Sequence, residues 1–258
     1  MKSLVDFRSL SKTIVDASLP KPPSGTLSGH AAGEPFDKEV YKRLQDLYKE
    51  KVFRQYEYLN FLYTKNPGAV GVEERKKLFD SPTVLFLLSR GDSATKAWSF
   101  ENPFEEKQND TADILVVVEN RFNLIDVKTR NISKSAQAPN IISAYKLARL
   151  CAIMLDNEEF DSFTIDYFEV DWQLRNDRLH CVKAHHANLF KVKPETLYIN
   201  WAAAMQIQFH VVDCDQTFTG TYKEWAIEYL RHFIQNAEQR ANSMIEKFVT
   251  PFKKYIVQ

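Results

Sequence analysis

The sequence predicts an α/β fold, a mixed β-sheet flanked by helices, and three observations predict it. Helical periodicity and β-rich runs alternate in the order helix, strands, helix, strands, helix. Two β-rich runs, DILVVV at 113–118 and FNLIDVK at 122–128, are separated only by Glu119, Asn120 and Arg121, which reads as a hairpin. A chain of 258 residues that is 44% hydrophobic can bury the core of one large domain, so residues 1–258 are taken as a single domain.

Residues 20–34 concentrate Pro, Gly and Ser and predict an irregular lead-in to a helix with Pro35 in its first turn; Phe36, Val40, Leu44 and Leu47 follow at helical spacing. The aromatic group Phe53, Tyr56, Tyr58, Phe61 and Tyr63 reads as core or dimer contact rather than a base-stacking platform. A second helical stretch spans 69–90, broken at Ser81-Pro82, after which TVLFLLS is apolar enough to be buried. After the hairpin, 129–137 reads as a basic loop, and Pro139 as the opening of a helix with Ile142, Tyr145, Leu147, Leu150 and Ile153 on its apolar side. Strands are expected at 163–170, 179–184 and 206–212, and a closing helix from Tyr222 to Phe248.

Lysine plus arginine equals aspartate plus glutamate at 34 each, so net charge gives no sign of a nucleic-acid partner. The distribution is more informative. Five basic and no acidic residues lie between Lys128 and Arg149, whereas seven acidic and no basic residues lie between Asp156 and Asp171. Cys151, Cys181 and Cys214 have no zinc-ligand spacing and read as buried free thiols. His185 and His186, with His180 nearby, read as surface imidazoles rather than a zinc site, and the glycines of GTLSGHAAGE do not form a phosphate-binding loop. There is no long apolar run and no leader-like N-terminus, so a cytoplasmic protein with no membrane partner is expected.

Side chains alternate along FNLIDVK, so Leu124, Asp126 and Lys128 share one face and Ile125 and Val127 the other. Asp113 opens the neighbouring strand, where pairing would bring its carboxylate towards that of Asp126. Two anions so placed gain from a shared cation, and Mg2+ fits, with Mn2+ a plausible substitute and the Val127 carbonyl a third ligand. Phosphodiester hydrolysis needs an activated water and neutralised phosphate charge, which a metal and the Lys128 amine can supply. Glu34 is a candidate outer-shell carboxylate. The same alternation also describes any half-exposed strand. The run KTRNISKSAQAPN adds cations that suit phosphates and amides that suit base edges, though it also fits an ordinary solvated loop.

Asp113 followed by Asp126-Val127-Lys128 resembles the PD-(D/E)-x-K nuclease superfamily, with Ala112 in place of the name-giving proline. SGTLSGHAAGEPF at 24–36, FEEKQNDTADIL at 104–115, DVKTRNISKSAQAPNIISAYKLA at 126–148 and YINWAAAMQIQFHV at 198–211 resemble more closely the HincII family of type II restriction endonucleases. That resemblance runs from about residue 21 to FKKYI, leaving 1–20 as a variable N-terminal segment. It implies a restriction-endonuclease-like fold and a homodimer that cuts both strands of duplex DNA at GTYRAC to leave blunt ends. A separate methyltransferase would protect the same sequence. It further implies Gln137 as a wedge between base pairs and Ala138 and Asn140 near base edges. Tyr198 and Asn200 would form a second reading element, Gln108 would touch DNA, and Thr129, Arg130, Ser133 and Lys134 would meet mostly phosphate. One departure stands out: Arg90-Gly91-Asp92 occupies the place of Arg-Gly-Lys, where an aspartate would repel a phosphate, and Lys96 is the alternative cation. Two other readings stay open at this point. One is a nuclease that selects DNA structure rather than sequence; the other is a binding module in which Asp113, Asp126 and Lys128 are surface residues.

Overall fold

The computed structural model describes residues 3–21, 30–90, 104–107, 110–135 and 137–256. Six strands form a mixed sheet in the order β1 (Ser18–Pro20), β7 (Arg178–Asn188), β6 (Phe163–Arg175), β4 (Arg121–Asn131), β3 (Ile114–Val118), β2 (Val52–Phe53). β4 and β6 run parallel and every other neighbouring pair is antiparallel. A parallel pair needs a crossover, and α6 (Ala144–Asp156) supplies it. The α/β mixed sheet flanked by helices is therefore as expected, and so is the β3–β4 hairpin.

Period-two alternation sorts the strand side chains onto two cores. Leu115, Leu124, Phe163, Ile165 and Tyr167 face the larger one, shared with α3 (Gln55–Lys65), α5 (Pro82–Leu88), which follows the short α4 (Val72–Lys76), and with α6 and the start of α7 (Tyr222–Phe248). Ile114, Val116, Ile125, Val127, Phe168 and Val170 face the other, covered by α1 (Phe7–Ile14) and α2 (His30–Tyr48). The N-terminal segment is part of that second core, through Phe7, Leu10 and Ile14. Of the aromatic group, Tyr58 and Tyr63 are buried in the first core, and Tyr58 meets Phe122 edge-on.

Several boundaries differ from the sequence expectation. α2 begins at His30, so Pro35 lies inside the helix rather than in its first turn. The additional turn docks against β4 at Gly33, where a Cβ would lie 2.7 Å from Thr129 Oγ1. Pro139 opens no helix. Residues 140–143 form β5 (Asn140–Ser143), and the α6 N-cap is Ser143, whose side chain accepts from the Lys146 N–H. Ile142 is accordingly a buried strand residue and Tyr145 is exposed, while Leu147 and Leu150 are buried as expected. The stretch 206–212 is a strand only over β9 (Gln206–Gln208), because the chain then turns to bond with Glu169: His210 Nδ1 lies 2.7 Å from Oε1 and the Val211 N–H donates to Oε2 at 2.8 Å. The basic loop is also shorter than expected, since β4 continues to Asn131, paired with Trp172.

His185 and His186 are not surface imidazoles. They lie on β7 with Nε2 atoms 3.0 Å from Asp171 and 2.6 Å from Asp166, and the His186 ring stacks on Phe7 at 3.8 Å between centroids. Their carboxylate partners lie on β6, where Asp166, Glu169 and Asp171 are buried, whereas Asp156, Glu158 and Asp161 earlier in the acidic run are exposed. The three cysteines are free; Cys151 and Cys181 are buried and Cys214 is half-buried.

β5, β9 and β8 (Ile199–Asn200) form a second, three-stranded sheet. α7 is anchored by Tyr222, Trp225, Ala226 and Tyr229 and then leaves the body. Beyond it, Ile245, Phe248, Val249, Phe252 and Ile256 fall at helical spacing, and all are exposed, Phe252 at 57%. No helix among the described residues is long and apolar enough to cross a membrane.

Candidate active site

The hairpin register places the two aspartates. Ile114 pairs with Ile125, the last rung of the β3–β4 ladder, so the next residue out on each strand is Asp113 on one and Asp126 on the other. With the ladder ended, the Val127 N–H has no strand partner on that side, and Asp113 Oδ2 accepts it at 2.7 Å. The N–H and C=O of one strand residue point the same way, so the Val127 carbonyl also faces this gap. Lys128 lies on the same face as Asp126, with its Nζ 2.8 Å from Asp126 Oδ1, and both side chains are largely buried. Asp113, Asp126, Val127 and Lys128 thus converge at one end of the hairpin.

The electrostatics follow from that crowding. Burial, then the charge of Asp126 and contact with its carboxylate, push the Asp113 carboxyl up to about 7, against the pull of Lys128 and the Val127 N–H. Burial works against the Lys128 ammonium, but Asp126 and Asp113 outweigh it and hold the amine above its ordinary value. The pair of carboxylates is therefore short of positive charge even with Lys128 in place. Hard oxygen donors in this state suit a divalent cation such as Mg2+, and Asp113, Asp126 and the Val127 carbonyl fit it. Among the described residues, no group of three His, Cys, Asp or Glu side chains gathers at one point. Beyond the carbonyl, further positions would fall to water and substrate oxygens.

Arg54 braces the site from the outside. Its guanidinium donates to the Asp113 carbonyl at 3.2 Å, grips Asp37 of α2 at 2.8 Å, and lies over the Tyr41 ring. Neither Arg54 nor Asp37 carries a sequence signal, because what joins them is a contact between elements. Glu34 is exposed and paired with Lys38 at 2.6 Å. The α2 carboxylate with a traced path to the site is Asp37, through Arg54 and through its charge on Lys128.

The remaining candidates are dispersed. Thr129 turns to the opposite face of β4, against Gly33. Arg130 returns to the carboxylate face but is held by Asp171 in two bonds of 2.8 and 2.7 Å. Ser133 and Lys134 are exposed in the turn after β4. Gln137 is exposed and Ala138 half-buried on the approach to β5; Asn140 is exposed at its start. Asn200 lies on β8 in the same small sheet, next to an exposed Tyr198. Gln108, Asp92 and Lys96 lie outside the described residues. Next to the hairpin end, a pocket of about 540 Å³ is lined by Arg90, Lys107, Asp110, Lys146 and Arg149 together with Thr111, with Arg90 held by Asp110 through two bonds. The sequence showed two of these cations, Lys146 and Arg149, within its basic stretch.

The model of the restriction endonuclease HincII family matches residues 10–256. That match begins inside the segment 1–20 which the sequence resemblance leaves out. The type II restriction enzymes HindII, from Haemophilus influenzae (strain ATCC 51907 / DSM 11121 / KW20 / Rd), and HincII, from Haemophilus influenzae, are each 62% identical to the chain over 251 residues, covering 97% of this chain and 97% of theirs. A solved structure of the NlaIV restriction endonuclease aligns at a TM-score of 0.26 and 10% identity, over 80% of this chain and 89% of that one, a likeness too weak to bear on the fold.

Proposed function

The chain belongs to the restriction endonuclease HincII family, and from that premise we propose that it is a type II site-specific deoxyribonuclease. In this reading a homodimer hydrolyses both strands of duplex DNA at GTYRAC in a Mg2+-dependent reaction and leaves blunt ends, and a separate methyltransferase protects the same sequence. The observation that carries the proposal is the convergence of Asp113, Asp126 and Lys128 where the β3–β4 ladder ends.

Bound Mg2+, or Mn2+ in its place, would supply Lewis-acid charge and a more acidic water. The protein's own groups do the rest. Asp113 and Asp126, with the Val127 carbonyl, would hold the cation, and the Val127 N–H fixes the rotamer of Asp113. Lys128, kept charged by Asp126, orients the attacking water by donating to it and offsets the growing negative charge on the phosphate. In the pocket beside Thr111, where Asp110 already holds Arg90, the remaining cations Lys107, Lys146 and Arg149 suit a flanking stretch of backbone phosphate. The apolar stripe at the end of α7 supports the homodimer, and a two-fold protein matches a two-fold target.

Purified protein with Mg2+ on a sequenced plasmid is expected to give discrete blunt-ended fragments whose termini fall at the centre of GTYRAC. Random nicking, or cutting that persists in chelator, refutes the proposal.

A further inference from the structure

The small β5–β9–β8 sheet carries a directed chain of side-chain amides. Ile199 and Ile207 pair and point into the core, so Asn140, Gln208, Asn200 and Gln206 lie on the opposite, outward face. On that face Asn200 Nδ2 donates to Gln208 Oε1 at 2.9 Å, and Gln208 Nε2 donates to Asn140 Oδ1 at 2.7 Å. An amide can be turned end for end at little steric cost, so its direction needs a reason, and the backbone provides one. Asn200 Oδ1 accepts the N–H groups of Ala202 and Ala203, at 3.1 and 3.2 Å, in the turn that leads to β9. That turn is unusual in placing two residues, Ala204 and Met205, in the left-handed region, and the Met205 carbonyl accepts the Ala144 N–H at 2.7 Å. With Asn200 Oδ1 so engaged, its Nδ2 must face Gln208. Gln208 must then offer its oxygen to Asn200 and its nitrogen to Asn140. The exposed Asn140 is left with Nδ2 outward, where no acceptor among the described residues meets it.

We propose that Gln208 is a specificity-determining positioning residue that, through the fixed direction of the Asn200–Gln208–Asn140 amide chain, makes Asn140 present a hydrogen-bond donor to the DNA. This rests on the reading of Asn140 as a residue near base edges. The acceptors matching an outward amide N–H in the major groove are purine N7, guanine O6 and thymine O4, while cytosine N4–H and adenine N6–H require the reverse amide face. One residue thus chooses which edges Asn140 accepts, although Gln208 itself need not touch DNA.

The test compares the native protein, Gln208→Glu, Gln208→Met and Asn140→Ala. The probe is the mapped cognate duplex together with a set of duplexes each carrying one base-pair change, and kcat and KM are measured on every member. An ionised carboxylate in place of the Gln208 amide only accepts, so it keeps the bond from Asn200 and turns Asn140 around. Gln208→Glu is expected to lower kcat/KM on the cognate site by about 5- to 150-fold, the range of one lost base contact, and to reorder the substituted sites towards those offering a donor. Gln208→Met fills the same space with no polar end, so Asn140 turns freely and the ratio between cognate and substituted sites shrinks. A structural role for Gln208 would instead scale all duplexes by one factor without reordering them, and that result overturns the proposal. So does native behaviour of both variants. If Gln208→Glu does not fold, judged by thermal melting, the shrinking ratio in Gln208→Met decides alone. Asn140→Ala separates the two levels: if it cuts the whole panel like the native protein, Asn140 reads no base and the underlying reading fails together with the proposal. If Asn140→Ala loses discrimination while the Gln208 variants keep it, only the amide chain is wrong.

Discussion

Replacing Asp113 with asparagine is expected to make the cation-free protein more stable near pH 8 while abolishing cleavage. Crowding against Asp126 raises the Asp113 carboxyl from 3.8 to about 7 in the folded protein. The unfolded chain ionises near the lower value. Between about pH 4 and 7 the folded state therefore holds a proton that the unfolded state has released. The stability linked to that proton is complete below about pH 4, declines as the pH rises, and is lost above about 7. At ~1.4 kcal/mol for each tenfold change in proton affinity, the interval is worth about 4 kcal/mol, an upper figure because the proton is shared with Asp126. Asparagine reproduces the protonated arrangement at every pH, since its oxygen can accept the Val127 N–H and its amide can donate to Asp126. In a domain of this size 1 kcal/mol moves the melting temperature by roughly 2–4 °C, so Asp113→Asn is expected to melt up to about 8–16 °C above the native protein near pH 8 and level with it near pH 4. Thermal melting in chelator across that range is the assay. Mg2+ added to the native protein narrows the gap by favouring the ionised pair. Parallel melting profiles for the two proteins, or a lower melting temperature for the variant near pH 8, would refute the reasoning.

Asp126→Asn removes a metal ligand and the partner of Lys128, and is expected to lose cleavage by several orders of magnitude while DNA binding in a gel-shift assay is kept or strengthened, because carboxylate–phosphate repulsion falls; native cutting by this variant would exclude Asp126 from the metal site. Gly33→Ala forces a methyl group against Thr129 Oγ1, so an overpacking cost of ~1–3 kcal/mol outweighs the ~1 kcal/mol gained in helix propensity; melting is expected to fall and to recover in the Gly33→Ala, Thr129→Ala double variant. Phe248→Glu with Phe252→Glu charges the exposed stripe of α7 and its continuation, and is expected to shift a dimer to monomer in sedimentation with little change in melting; an unaltered sedimentation profile would place the dimer contact elsewhere.

What the sequence revealed, and what it hid, divides along physical lines. The facing of Asp126 and Lys128 was legible because alternation is a local property of a strand, and the approach of Asp113 was legible because a hairpin with a short turn has little freedom of register. The start of α6 was misread because Pro139 is a generic helix signal, whereas the side chain that caps the helix is that of Ser143, four residues later, and the intervening residues gain a strand partner that a local reading cannot see. His185 and His186 were misread for a similar reason. An imidazole pair looks like surface until the burial of Asp166 and Asp171 on the neighbouring strand is known.

Dependence on distant partners is strongest around the site itself. Arg54 matters because Asp37 and the Asp113 carbonyl converge on it, from positions 17 and 59 residues away. Gln208 matters because Asn200 and Asn140 lie on either side of it, 8 and 68 residues away in sequence. Neither residue belongs to a spaced motif, since its role is to orient another group rather than to carry chemistry. Such residues can nonetheless govern how well a site works. An aspartate pair that costs stability stays in place only if its surroundings over-determine its geometry, and Arg54, the Val127 N–H and the ladder end do that for Asp113. The amide chain applies the same logic to recognition. A lone exposed Asn140 would present donor and acceptor faces alike and would pay the choice between them on binding, whereas one held by Gln208 meets DNA already committed.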